Sequence, residues 1–381
     1  MKTKKNILIT IDWFLPGTDS GGPARSYANL MGHLAQDFNF YVITRDTDYC
    51  ATTPYTNITS NAWNSMDELA NVYYCSDAAL NTKSLIRLFR SKTFDVIYIN
   101  GMYSWYFSIL PLLVFKEHPK VIVAARGMLN PQAFSVKPIK KRLYIGLAKH
   151  LGLFKKMSFQ ATNVIERNHI FSLIGPESDV KVAPNLPRVL RASFNEKDKS
   201  EVTQFVNVAR ISKEKGTLKM LTAFQAIRSP VVLDMYGPVY DSLYWEACKE
   251  IISALPINIK VSYKGIAKSE DIPELLKSYD FFIMLSEGEN FGHAILEAFS
   301  AGLPVIISNK TPWTGLKEKN IGWDIDTNNL ENTHLILKQI IAMSNPAYKE
   351  MAELAYQHAK SFTENETLIE QNRNLFCDSG T

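Results

Sequence analysis

Short, nearly continuous apolar runs alternate along this chain with stretches whose apolar residues recur every three or four positions. In the first half the runs cover residues 7–11, 40–44, 95–100, 120–125 and 158–162; in the second half they cover 205–209, 231–236, 259–263, 281–285 and 304–308. Runs that are unbroken rather than alternating suit strands buried on both faces, as in parallel sheets covered by helices. The strand–helix alternation predicts an α/β protein with two doubly wound domains. Residues 188–202, rich in charge and poor in large apolar side chains, read as the linker. No internal repeat or low-complexity tract interrupts the pattern.

Composition changes this picture little. A length of 381 residues exceeds what one core supports, which agrees with two domains. With 46% hydrophobic and 21% charged residues the chain reads as globular, and a net charge of +4 is too small to argue for nucleic acid. Cys50, Cys75, Cys248 and Cys377 are scattered without metal-ligand spacing and read as free thiols. No apolar stretch is long enough to cross a bilayer, and the polar, basic residues 1–5 lead straight into the first strand, so the expected location is the cytoplasm.

In doubly wound sheets, ligands bind beyond the carboxyl ends of the strands, where loops enter helix N-termini. Those loops here, at 12–22, 126–127, 210–216, 237, 265, 286–292 and 308–313, are rich in Gly, Arg, Lys and Glu, the types that hold a charged ligand. The segment 286–299 places Glu289 in a loop, predicts a helix start near Phe291 or Gly292, and puts Glu297 about two turns along that helix. Free backbone N–H groups at such a start suit a diphosphate. The spacing of two glutamates carries little by itself.

The surrounding residues carry more. Glu289, Phe291, Gly292, Glu297, Ala298, Gly302, Pro304 and Val305 match the pattern E-x-F-G-x-x-x-x-E-A-x-x-x-G-x-P-V. The segment thereby resembles the signature of retaining GT-B glycosyltransferases of family 4, and the loop 208–216 resembles that family's G-R-L-x-x-x-K-G element, with Ala209 where Gly is commoner. The resemblance implies two Rossmann-like domains facing across a cleft, at 1–187 and 203–360, with 361–381 returning as a helix to the first. It implies a nucleotide-sugar donor, a UDP- or GDP-sugar, held without a metal by Arg210, Lys215, Gly265, Glu289, Asn290, Phe291, Gly292 and Glu297. Gly237 ends a strand where the family also places a glycine, and Ala183-Pro184-Asn185 resembles the family's P-N-G turn with Leu186 in place of the Gly. The implied acceptor is a hydroxyl of a glycan or lipid-linked saccharide, in surface polysaccharide synthesis.

In the first half, Gly21 and Gly22 either abut the donor phosphates, as the resemblance implies, or form a flexible loop. Arg126-Gly127-Met128-Leu129 resembles a polysaccharide-biosynthesis branch in which Arg stands where other members carry His. Arg cannot act as a base near neutral pH, so Arg126 is expected to stabilise charge on the departing phosphate. Asp46-Thr47-Asp48 fits a metal-binding D-x-D, but lies on a loop far in sequence from the phosphate elements and reads better as an acceptor-side or solvated loop. Residues 138–156 hold six Lys and Arg, no acid, and interleaved apolar residues. This pattern fits either a helix with a basic solvated face or one lying on an anionic membrane at its inner face. A nucleotide-sugar epimerase, an inverting enzyme of the same fold and a non-catalytic sugar-nucleotide-binding protein remain as alternatives. A dinucleotide dehydrogenase does not, because no G-x-G-x-x-G follows a strand.

Overall fold

A computed structural model describes residues 3–17, 22–131, 134, 138–189, 194–289 and 291–377. The chain divides into two compact units, residues 1–189 with 365–381, and residues 190–364.

The first unit is built on an eight-stranded sheet in the order β3-β4-β2-β1-β5-β6-β7-β8. Its strands are β1 (Lys5–Thr10), β2 (Phe38–Arg45), β3 (Trp63–Met66), β4 (Ala70–Cys75), β5 (Val96–Asn100), β6 (Val121–Ala124), β7 (Met157–Ala161) and β8 (Asp179–Val182). Every pairing is parallel except β3 with β4. Side chains of a strand alternate between faces, and here both faces are covered. Leu8, Ile97 and Ile99 enter one core, while Ile7, Ile9, Val96 and Tyr98 enter the other. That double burial is why the runs are unbroken.

The second unit repeats the plan with six strands, all parallel, in the order β11-β10-β9-β12-β13-β14. These are β9 (Thr203–Val208), β10 (Val231–Tyr236), β11 (Ile259–Tyr263), β12 (Phe281–Met284), β13 (Val305–Ser308) and β14 (Gly322–Ile325). Phe281 and Ile283 face one core, Phe282 and Met284 the other.

All the strands expected from apolar runs are present. Four others carry no such run. β3 and β8 close the edges of the first sheet, where less of each strand is buried, and β4 lies next to β3; β14, an edge of the second sheet, is largely buried, but Gly322 and Asp324 break its apolar run. The unit boundary also differs from the expected linker. Residues 194–202 pack on the second unit: Phe194 stacks on Tyr356 at 5.3 Å, and Lys199 Nζ donates to the Ile341 carbonyl at 2.7 Å. Lys197 Nζ donates to the Lys277 carbonyl at 3.0 Å and lies 3.7 Å from the buried Asp280 carboxylate. At the other end, the helix Glu366–Phe376 is part of the first unit. There Arg373 Nε meets Asp37 at 3.0 Å, and Phe376 packs edge-on against Phe38 and Tyr98. Among the described residues, no helix is long and apolar enough to cross a membrane.

Candidate functional site

In the second sheet, the order in which successive strands are added reverses between β9 and its neighbour β12: β10 and β11 lie to one side, β13 and β14 to the other. Such a switch point opens a crevice at the carboxyl ends of the two central strands. The loops leaving β9 and β12 are the two that carry the candidate residues.

They are fastened to one another. Gly216 has φ +67°, and a Cβ there would sit 1.8 Å from the Leu285 carbonyl oxygen, so only glycine lets the first loop lie against the end of β12. The Glu287 amide donates to the Glu214 carbonyl at 2.8 Å. Ser212 caps the short turn Lys213–Lys215 by accepting from the Lys215 amide. This fixes Lys215 where its Nζ meets Glu289 Oε1 at 2.6 Å, with side chains 21% and 10% exposed. Two candidate residues 74 positions apart in sequence are thus brought into one ion pair.

A second charged hub sits beside it. Glu287 accepts from Lys219 Nζ through one oxygen at 2.6 Å and from Lys310 Nζ through the other at 2.7 Å. Lys219 lies one turn beyond Lys215 on the helix Thr217–Ala223, and Lys310 follows β13. The bond from Lys219, seconded by that from Lys310, pulls the Glu287 carboxyl down to about 2 from 4.5. A carboxyl lowered by folding stabilises the fold above its unfolded value and loses that contribution as pH falls through its folded value. Glu287→Gln is therefore expected to unfold more easily at about pH 7 and to flatten the loss of stability between about pH 4.5 and 2, as read by urea titrations across that range.

Arg210, expected beside Lys215, is more exposed and reaches Glu214 Oε2 at 3.3 Å. Gly292, with φ +80°, caps the helix His293–Ser300. That start is later than expected and places Glu297 fifth in the helix, little more than one turn along rather than two. Phe291 is buried against Trp313, whose indole Nε1 donates to the Phe291 carbonyl at 2.6 Å and pins the loop. Ser286, fully buried at the loop's base, has a hydroxyl without a hydrogen-bond partner among the described residues. Gly265 follows the edge strand β11, and its carbonyl accepts from the Gly237 amide at 2.9 Å. Asn290 lies outside the described residues.

The candidates of the first unit do not gather in the same way. Gly21 lies outside the described residues, and Gly22 opens the helix Gly22–Leu34. Arg126 occupies a turn at φ +51° that lays its guanidinium 4.6 Å from the Tyr27 ring centre and within hydrogen-bond reach of Asn185 Oδ1. Its Nε is sealed from solvent and has no hydrogen-bond partner among the described residues. The neighbouring Gly127 amide is held by the buried Glu166 carboxylate at 2.6 Å. Asp46 is spent on Ser60 Oγ at 2.7 Å, and among the described residues no cluster of three or more His, Cys, Asp or Glu is placed to hold a metal.

Sequence reasoning missed the hub residues Lys219, Glu287 and Lys310. It also missed Asp12, which follows β1, accepts from Ser104 Oγ at 2.7 Å, and has its carboxyl pushed up by burial. For Glu287, Lys310 and Asp12 the available signal was position just beyond the carboxyl end of a strand; Lys219, inside the helix Thr217–Ala223, offered no such signal.

Comparison with known proteins agrees with this layout. Residues 190–358 match the family model described as Glycosyl transferases group 1. The O-antigen chain mannosyltransferase B of Escherichia coli is 29% identical over 110 residues, which is 27% of this chain and 28% of that protein. The stretches matched in three such relatives span 13% to 35% of their lengths. Among solved structures, sucrose-phosphate synthase from Thermosynechococcus elongatus superposes with a TM-score of 0.72 at 15% identity, covering 98% of both chains. HepE of Anabaena, solved with UDP-glucose, superposes at 0.67 and 15% identity, covering 97% of this chain and 98% of that one. Identities this low speak to fold. The chain has the GT-B fold, and its residues 190–358 are similar to the glycosyl transferases group 1.

Proposed function

We propose that the chain is a retaining glycosyltransferase that moves a hexose-type sugar from a UDP- or GDP-sugar to a hydroxyl of a glycan or lipid-linked saccharide, in surface polysaccharide synthesis. The observation that carries this reading is the Lys215–Glu289 ion pair at the switch point of the second sheet, inside the segment matched by the family model. A diphosphate needs cations at its oxygens, and a sugar needs acceptors at its hydroxyls; this pair supplies one of each. UDP-glucose in HepE and the O-antigen relative support the donor and acceptor classes.

On donor binding Lys215 exchanges Glu289 for the diphosphate, and Glu289 turns to the sugar hydroxyls. Arg210, on the exposed side of the loop, adds a second cation, while Glu297 takes the ribose hydroxyls. The acceptor hydroxyl attacks the anomeric carbon from the face the nucleotide leaves. The bond from that carbon to the phosphate oxygen breaks, and the departing diphosphate takes the acceptor's proton. Catalysis on this reading is positioning and electrostatic stabilisation of the leaving group. Arg126 serves the packing of the first unit around Tyr27 and Asn185.

Incubation with UDP- and GDP-sugars tests the reading. With a saccharide acceptor present, nucleoside diphosphate and a lengthened saccharide should appear together, and donor alone should give at most slow hydrolysis. Conversion of the donor into an isomeric nucleotide-sugar without acceptor would assign an epimerase instead.

A further inference from the structure

The helix Pro138–His150 buries Ile145 and Ala148 and turns its other large aliphatic side chains outward. Ile139 is 80% exposed, Leu143 73%, Leu147 57% and Leu151, just past the helix end, 61%. At about 100° per residue, positions four apart advance by about 40°, so these four form one continuous stripe along the solvent face. On the same projection Lys140 and Arg142 lie on either side of the stripe's first turn, while Lys149 lies on the far side of the helix, where its Nζ donates to the Leu173 carbonyl at 3.3 Å. Residues 138–156 contain Lys140, Lys141, Arg142, Lys149, Lys155 and Lys156 and no acidic residue. Single exposed leucines are ordinary on a protein surface; an ordered apolar stripe with a cationic border is not.

We propose that this face of the first unit docks on an anionic phospholipid bilayer, with Ile139, Leu143, Leu147 and Leu151 entering the headgroup–acyl boundary and the flanking basic residues meeting lipid phosphates and carboxylates. Charge selects this occupant. A second copy of the chain seated on the stripe would bring two acid-free basic segments together, whereas an anionic leaflet complements both the stripe and its border. The docking geometry lays the helix in the plane of the interface, since its opposite side carries the buried Ile145 and Ala148 and packs through Tyr144 against Tyr103. Such a face would hold the enzyme where lipid-linked saccharides reside. The inference stands on exposure and charge alone and does not depend on the sugar-transfer reading.

Co-sedimentation of the full chain with vesicles tests it. Wild type should pellet with phosphatidylcholine vesicles containing phosphatidylserine and far less with phosphatidylcholine alone, with salt weakening the binding. Leu143→Ser with Leu147→Ser should lower the ratio of bound to free protein by about tenfold or more. Lys140→Ser with Arg142→Ser should lower it on anionic vesicles only. All these side chains are solvent-exposed, and circular dichroism should show the wild-type fold. Equal pelleting of wild type and both variants overturns the proposal. So does a wild-type dimer, seen by sedimentation velocity, that the leucine substitutions return to monomer while vesicles bind neither protein.

Discussion

Lys215→Ala is expected to cut turnover by at least about tenfold while the protein stays folded, and Glu289→Ala to do the same. The two losses should differ in kind. Lys215 is assigned to the diphosphate, which is present in substrate and product alike, so its removal weakens binding of the bare nucleoside diphosphate as well as turnover. Glu289 is assigned to the sugar, so its removal lowers kcat with the sugar donor and leaves nucleoside diphosphate binding no weaker than before. Loss of either partner also leaves the other without its ion pair at a site only 10% to 21% exposed. Neither side chain anchors a core cluster, which is why the thermal transition should survive. Steady-state kinetics beside differential scanning calorimetry separates the two variants from each other and from a folding defect.

Gly216→Ala is expected to have the largest effect on stability. The new Cβ would lie 1.8 Å from the Leu285 carbonyl oxygen, a backbone atom that cannot swing aside, and the residue would have to hold φ +67°. Left-handed backbone strain and overpacking each cost about 1–3 kcal/mol, so the second unit should lose about 2 kcal/mol or more, read as an early transition on heating. The same clash separates the loop carrying Lys215 from the strand end that leads to Glu289, so activity should fall with stability. By contrast, a Cβ on Gly265 would meet no atom within 4 Å among the described residues beyond its chain neighbours, although its φ of +77° still strains any replacement. Gly265→Ala should therefore be the milder change.

These two positions show how far the sequence reaches. The apolar runs located the strands buried on both faces, because burial leaves an unbroken signature in composition. It could not find β3 and β8 at the edges of the first sheet, where half-exposed residues such as those of Asp179–Val182 dilute that signature, nor β14, whose buried run is broken by Gly322 and Asp324. Glu289 and Lys215 were legible as members of a family pattern. That they pair was not, because the pairing depends on Gly216 letting one loop lie on the other. The Glu287 hub was less legible still: its partners Lys219 and Lys310 come from a helix and a loop on different elements, and nothing in their local sequence announces a shared carboxylate. The setting of Arg126 was hidden for a related reason. Its place after β6 was legible as a candidate position, but the turn at φ +51° that lays the guanidinium over Tyr27 was not. The helix Pro138–His150 reads alike as a basic solvated face or as an interfacial one until exposure of Ile139, Leu143 and Leu147 decides what faces outward.

The most direct test of the donor site is calorimetric titration of UDP and GDP into the wild type, Lys215→Ala and Glu289→Ala. Saturable binding of one nucleotide to the wild type, weakened at least about tenfold in Lys215→Ala and retained in Glu289→Ala, is the predicted result. Wild-type affinity in Lys215→Ala, or no binding of either nucleotide to the wild type, would contradict a diphosphate site at the β9–β12 switch.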